Sequence, residues 1–206
     1  MAIAVSLTDI DRRIAPTHKL YAYEDLMNQS PPDHAASRLS GFYATVQAAR
    51  QAIDMALPLI ETAMQHKHVG ESGFLYIVVM NPLAHPHQCR FEDAILCEHA
   101  VGDPARWDAD YAGFARDKAK LHWRTGLNTE LVQTRYPQLL EPGDTTLHGS
   151  AAVDGIVVGV SGANPWYDEA FAGVVAHCFK AVMKGHMQRQ SQQGGTNLPL
   201  TGNQGV

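Results

Sequence analysis

The sequence predicts an α/β protein, an antiparallel sheet with helices packed on it, and three observations carry that expectation. Val46, Ala49, Ile53, Leu57, Ile60 and Met64 recur at three- and four-residue steps, the period of a helix with one buried face. Two apolar runs rich in β-branched and aromatic residues, Phe74–Met80 and Ile156–Val160, have strand length. Asp154-Gly155 stands between the runs Ser150–Val153 and Ile156–Val160, and Asp-Gly between apolar runs marks a hairpin.

Taken in order, residues 1–40 read as an N-terminal extension, with Pro16, Pro31 and Pro32 and one short helix at Leu20–Asn28. Val46–His66 is the amphipathic helix, with Pro58 expected to kink it, because the ring removes a backbone hydrogen bond. Gly70 and Gly73 bracket a turn before the strand Phe74–Met80. Asn81-Pro82 opens a long loop, and Arg90–Glu98 is the next expected strand, antiparallel to the first. After the break at Gly102-Asp103-Pro104, Ala109–Thr125 reads as a helix that Gly126 ends with a left-handed cap. Pro137 to His148 is a turn-rich excursion suited to covering a pocket. The hairpin at Asp154-Gly155 follows, and then a final helix, Trp166–Met187. Residues 41–187 thus form one domain, and residues 188–206 a polar tail whose Gln, Gly and Asn content predicts disorder.

Composition narrows the function. A hydrophobic fraction of 45% and a charged fraction of 18% are those of a globular protein. The net charge of −5 gives no basic excess to neutralise phosphates, so nucleic acid is not an expected partner. The longest apolar run, Phe74–Met80, is far too short to span a bilayer, and a membrane is not expected either. Cys89, Cys97 and Cys178 are odd in number and widely spaced, which predicts reduced thiols in a cytoplasmic setting. The N-terminus lacks the basic start and apolar core of a signal peptide. There is no G-x-S-x-G, no H-E-x-x-H, no P-loop and no C-x-x-C-H for covalent haem attachment.

The most informative stretch is Gly155–Phe171, GIVVGVSGANPWYDEAF. A buried strand delivers the small residues Ser161-Gly162-Ala163 to a helix start, where another backbone or a ligand can approach closely. Asn164 stands at the N-cap, Pro165 at the first helical position, and Asp168 and Glu169 near the positive end of the helix. This stretch resembles the hallmark of the GlcG/HbpS-like haem-binding or haem-degrading domain family, which includes the C-terminal domain of PduO-type corrinoid adenosyltransferases. Two further patches agree: Ala112–Lys120 with Thr125-Gly126 and Thr129, and Gly149 ahead of the hairpin. The resemblance covers Val46 to Lys184. It implies a profilin-like sandwich with about five antiparallel strands, and a homo-oligomer that binds haem or a related planar or small organic ligand non-covalently. The chain departs from the family at His148-Gly149-Ser150-Ala151, where Gly-Gly-Val-Pro is usual, and at the large Trp166-Tyr167.

Four groups could carry chemistry. His85, His87 and Cys89 alternate, so in an extended segment they would point one way, with imidazole and thiolate suited to a metal; an exposed His-rich loop is the plainer reading. Lys118 and His122 are four apart and share a helix face with Tyr111 and Ala115. If that face is inward, burial gives a neutral imidazole able to act as a base or metal ligand; if not, Lys118 reaches water. His148 could reach a ligand under the loop before it. Trp166 and Tyr167 offer a flat apolar wall for a planar ring. For haem, the expected arrangement has His122 or His148 as axial ligand and Lys118 or Arg124 on the propionates. Gly149, Ser161 and Gly162 complete the pocket. The alternative is a small-molecule catabolic enzyme in which Lys118, His122 and Glu169 move protons on a hydroxy acid or aromatic substrate.

Overall fold

A computed structural model describes residues 41–192. The expected extension at residues 1–40, with its helix at Leu20–Asn28, lies outside the described residues, as does most of the polar tail. In chain order the elements are α1 (Val46–Met64), β1 (Leu75–Met80), the single turn α2 (Phe91–Ala94) and β2 (Ile95–Val101). Then come α3 (Tyr111–Thr125), α4 (Thr129–Arg135), β3 (Ser150–Val153), β4 (Ile156–Ser161) and α5 (Pro165–Gln192). The strands form one antiparallel sheet of four, in the order β2-β1-β4-β3. The α/β class and the antiparallel sheet hold; the described residues supply four strands rather than about five.

Two differences from the sequence reading have physical causes. The run Arg90–Glu98 does not begin as a strand. Phe91 and Ala94 bury on one side of a helical turn, and the extended backbone begins at Ile95. The last helix runs past Met187 to Gln192, because Gln and Arg are good helix formers once a helix is already propagating. The helix α1 continues through Pro58, and Thr62 Oγ1 donates to the Pro58 carbonyl at 2.6 Å.

Helices cover both faces of the sheet. α1 and α5 lie on one face, where Leu75, Ile77 and Val79 of β1 meet Ile156, Val158 and Val160 of β4, with Ile53, Ile60, Phe171 and Phe179 above them. α3 lies on the other, where Val78, Met80 and Val157 meet Ala115 and Ala119. Two-sided burial is why β1 and β4 read as unbroken apolar runs rather than alternating ones. Gly159 sets the approach of α3. A Cβ there would stand 2.5 Å from the Ala115 carbonyl oxygen and 2.8 Å from the Ala119 Cβ, so the helix backbone rests on the strand. Among the described residues no helix is long and apolar enough to cross a membrane.

Candidate functional site

The site is built from the inner face of α3. Asp110 caps the helix, its Oδ1 accepting from Gly113 N at 2.8 Å, and Gly126 ends it with φ +71° while donating to the His122 carbonyl at 2.7 Å. Between these ends Ala115, Lys118, Ala119 and His122 face the sheet. Lys118 is 2% exposed and His122 1%, so of the two alternatives left open by the sequence the face turns inward and Lys118 does not reach water.

Burial forces the lysine to place all its protons. Its Nζ donates to the Val160 carbonyl at 3.0 Å, to Ser161 Oγ at 3.1 Å and to Asp168 Oδ2 at 2.8 Å. Asp168 comes from the first turn of α5, and its Oδ1 accepts from Ala163 N at 2.9 Å. One carboxylate thus fixes the strand-to-helix turn with one oxygen and the α3 lysine with the other. Burial pushes the Asp168 carboxyl up to about 6, against the opposing pull of Lys118 and of the Ala163 and Gly162 backbone N–H groups. Asn164 occupies its expected place before Pro165. Its carbonyl accepts from Tyr167 and Asp168, and its side-chain Nδ2 donates to the His68 carbonyl at 2.9 Å.

One turn further along α3, His122 Nδ1 lies 3.0 Å from Ser150 Oγ. Ser150 Oγ also accepts from Thr129 N at 3.2 Å and bonds Thr129 Oγ1 at 3.1 Å. Gly149 N donates to Thr129 Oγ1 at 3.1 Å. Burial holds the imidazole down to about 4, so His122 is neutral at physiological pH. Gly149 joins the two polar clusters. Its φ is +139°, and a Cβ there would meet the Asp168 Cβ at 2.5 Å and Lys118 Nζ at 3.2 Å.

Directly outside this buried layer is an open depression of about 490 Å³, lined by Glu130, Ala151, Trp166, Glu169 and Ala170. Three of its lining residues are chain neighbours of buried network members: Glu130 follows Thr129, Ala151 follows Ser150, and Glu169 follows Asp168. The buried hydrogen bonds therefore position the walls of the depression. Asn128 Nδ2 donates to Glu169 Oε1 at 3.1 Å, steadying one wall. Trp166 is 64% exposed, the largest exposure of any large apolar side chain among the described residues.

The structure separates the other predicted residues. Glu169 lines the depression, and the carboxylate beside Lys118 is Asp168 instead. Arg124 is committed to the excursion before β3. It pairs with Asp144, bonds Glu141 Oε1 at 3.1 Å and donates to the Leu139 carbonyl at 3.1 Å. Gln133 Nε2 holds the same segment through the Thr145 and Leu147 carbonyls, at 3.2 and 3.0 Å. His148, half-buried, ends that segment next to Gly149. Ser161 is buried against Lys118, and the turn at Gly162 is approached by the Phe74 backbone, where a Cβ would fall inside van der Waals contact. The segment carrying His85, His87 and Cys89 runs as turns, so their alternation does not align them. His85 and His87 are exposed, and Cys89 Sγ lies 3.9 Å from the His85 carbonyl. Among the described residues no three His, Cys, Asp or Glu side chains gather as a metal-binding group.

Sequence reasoning did not select Asp168, Ser150, Thr129 or Glu130 for the site. Asp168 stood in the stretch that carries the family resemblance, but by itself it read as an acid in the first turn of a helix, which usually marks a solvated dipole partner. A comparison with protein-family models finds no match, and a comparison with curated proteins finds none either.

Proposed function

We propose that this protein is a non-covalent binding protein for a planar or compact organic ligand, working as a homo-oligomer, with the Trp166 depression as its docking face. The observation that carries this reading is the exposed indole over a concavity of about 490 Å³ whose other walls are fixed from behind. An aromatic plane held at a concave surface is suited to stacking a flat ring. Haem is the ligand the GlcG/HbpS resemblance implies, and its propionates would have to lie away from Glu130 and Glu169. Support for binding over proton transfer comes from the commitments of Lys118 and His122, which are inside and bonded within the chain, while Glu169 stands apart on the outer wall. The free thiols of Cys89, Cys97 and Cys178 support a reducing, cytoplasmic setting.

The test is an absorption titration with haemin, read in the Soret region, on the native chain and on Trp166→Ala. A saturable shift at stoichiometric haem that Trp166→Ala weakens is the expected result for haem. Only non-saturable adsorption removes haem from the class, and a flat-ligand panel read by calorimetry then decides the binding reading. If no member of that panel binds in a Trp166-dependent way, the reading falls.

A further inference from the structure

The charge around the depression narrows the ligand. Among the described residues, Glu130 and Glu169 both line it and no cationic side chain does. Among the described residues neither carboxylate belongs to an ion pair, although six other pairs form elsewhere. Asn128 fixes Glu169 through Oε1 at 3.1 Å, a contact that orients the carboxylate without neutralising it. The third feature is independent of the acids. The face of Trp166 carries the negative side of the indole quadrupole, which attracts cations as well as flat rings. The start of α5 lies at the same place, but a helix N-terminus amounts to roughly half a positive charge. Two carboxylates outweigh it. The chain as a whole carries −5, which draws cations and repels anions at longer range.

We infer that the Trp166 depression selects a small organic cation with a flat apolar body, its charged group set toward Glu130 and Glu169 and its ring on the indole. The inference rests on the binding reading above and specifies its ligand class. It runs against an anionic ligand in this depression, because either carboxylate would repel one across a partly desolvated contact. The occupant is a free small molecule rather than a side chain of a second copy.

Three isosteric probes test it: benzamidinium, neutral benzamide and anionic benzoate, titrated by calorimetry into the full chain near neutral pH at low ionic strength and at two protein concentrations. The expected result is saturable benzamidinium binding at one per chain, about tenfold tighter than benzamide, with no measurable benzoate binding. Glu169→Gln and Glu130→Gln together should bring the cation and the neutral probe to within about threefold, since the remaining attraction is stacking alone. Trp166→Ala should weaken both. The control is Glu71→Gln with Glu92→Gln, which removes the same two charges from exposed sites outside the depression. If it loosens benzamidinium as much as the depression variants do, the effect is net charge and the inference is overturned. Trp166-dependent binding of benzoate or haemin in preference to benzamidinium overturns the cation selection but leaves the binding reading standing. Failure of every probe to bind in a Trp166-dependent way removes both. Benzamidinium affinity that falls as the protein self-associates assigns the depression to a second copy and also overturns the inference.

Discussion

Helix α3 carries three ion-paired cations, Arg116, Lys118 and Arg124, and the last two, one in its middle and one in its last turn, differ most in what their pairing holds. Lys118 and Asp168 have side chains 3% and 2% exposed, whereas Arg124 is 24% exposed and its partners Glu141 and Asp144 are 65% and 11% exposed. The buried pair bridges α3, the end of β4 and the start of α5 through four hydrogen bonds. The outer one fastens only the excursion before β3. Coulomb attraction is stronger in the interior, but so is the cost of leaving either charge alone. The inner pair is therefore a geometric constraint that cannot be half removed, and the outer one a clasp that can.

The comparison breaks most readily at the inner pair. Lys118→Ala or Asp168→Ala should each lose about 3–5 kcal/mol in urea unfolding, since an unpartnered buried charge remains. The double change Lys118→Met with Asp168→Leu should recover most of that loss. Single losses under about 1 kcal/mol would erase the distinction between the two pairs.

Next comes His122, held at about 4 against an ordinary 6.5. Its folded form binds fewer protons than the unfolded chain between those values. The stability it contributes is complete above 6.5 and lost as pH falls toward 4. Asp168 acts in the other direction, since its pKa is raised from 3.8 to about 6. The folded carboxyl takes its proton first, and stability is gained as pH falls through that window. His122→Gln removes one limb and leaves the other. Referred to its own stability at pH 7, the variant at pH 4 should stand about 3 kcal/mol above the native chain on the same reference. Urea midpoints at the two pH values check this, and equal changes in the two proteins would show that His122 does not titrate as described.

Gly149→Ala sharpens the view of how the two buried clusters are joined. With φ +139° and a Cβ 2.5 Å from that of Asp168, it should lose about 2–3 kcal/mol. Arg124→Ala tests the clasp. It should cost about 1 kcal/mol or less in global stability, while amide exchange in residues 139–147 quickens. Smallest is Trp166→Ala, expected within about 0.5 kcal/mol of the native chain because the side chain is mostly in water. A large loss there would make Trp166 structural.

What the sequence disclosed follows the range of the forces involved. The period of α1, the left-handed cap at Gly126, the hairpin at Asp154-Gly155 and the shared helix face of Lys118 and His122 are local patterns, and all were legible, whereas the inward turn of that face was not, because it depends on the sheet it packs against. The turn Phe91–Ala94 was not legible either, because the apolar residues that follow it from Ile95 suggested strand throughout, and only the burial of Phe91 and Ala94 on one side decided the helical turn. The partner of Lys118 was not legible for a different reason. Asp168 and Glu169 are adjacent acids at a helix start, and a displacement of one residue rotates a side chain by about 100° around a helix. Only the docking of α5 against β4 determined which acid turned inward. Arg124 could be named as a cation near a loop, but not as one already occupied by Glu141 and Asp144.

The contact at Gly159 has a mechanical consequence. Because the α3 backbone rests on β4 where no side chain intervenes, sliding the helix along the strand would drive the Ala115 and Ala119 turns against Val157 or Ser161, the residues two positions to either side on the same face. The notch forbids translation and leaves rocking about that point as the soft degree of freedom. A pivot there leaves Lys118, which lies within the Ala115–Ala119 contact, nearly still and swings His122, one turn beyond it, toward or away from Ser150.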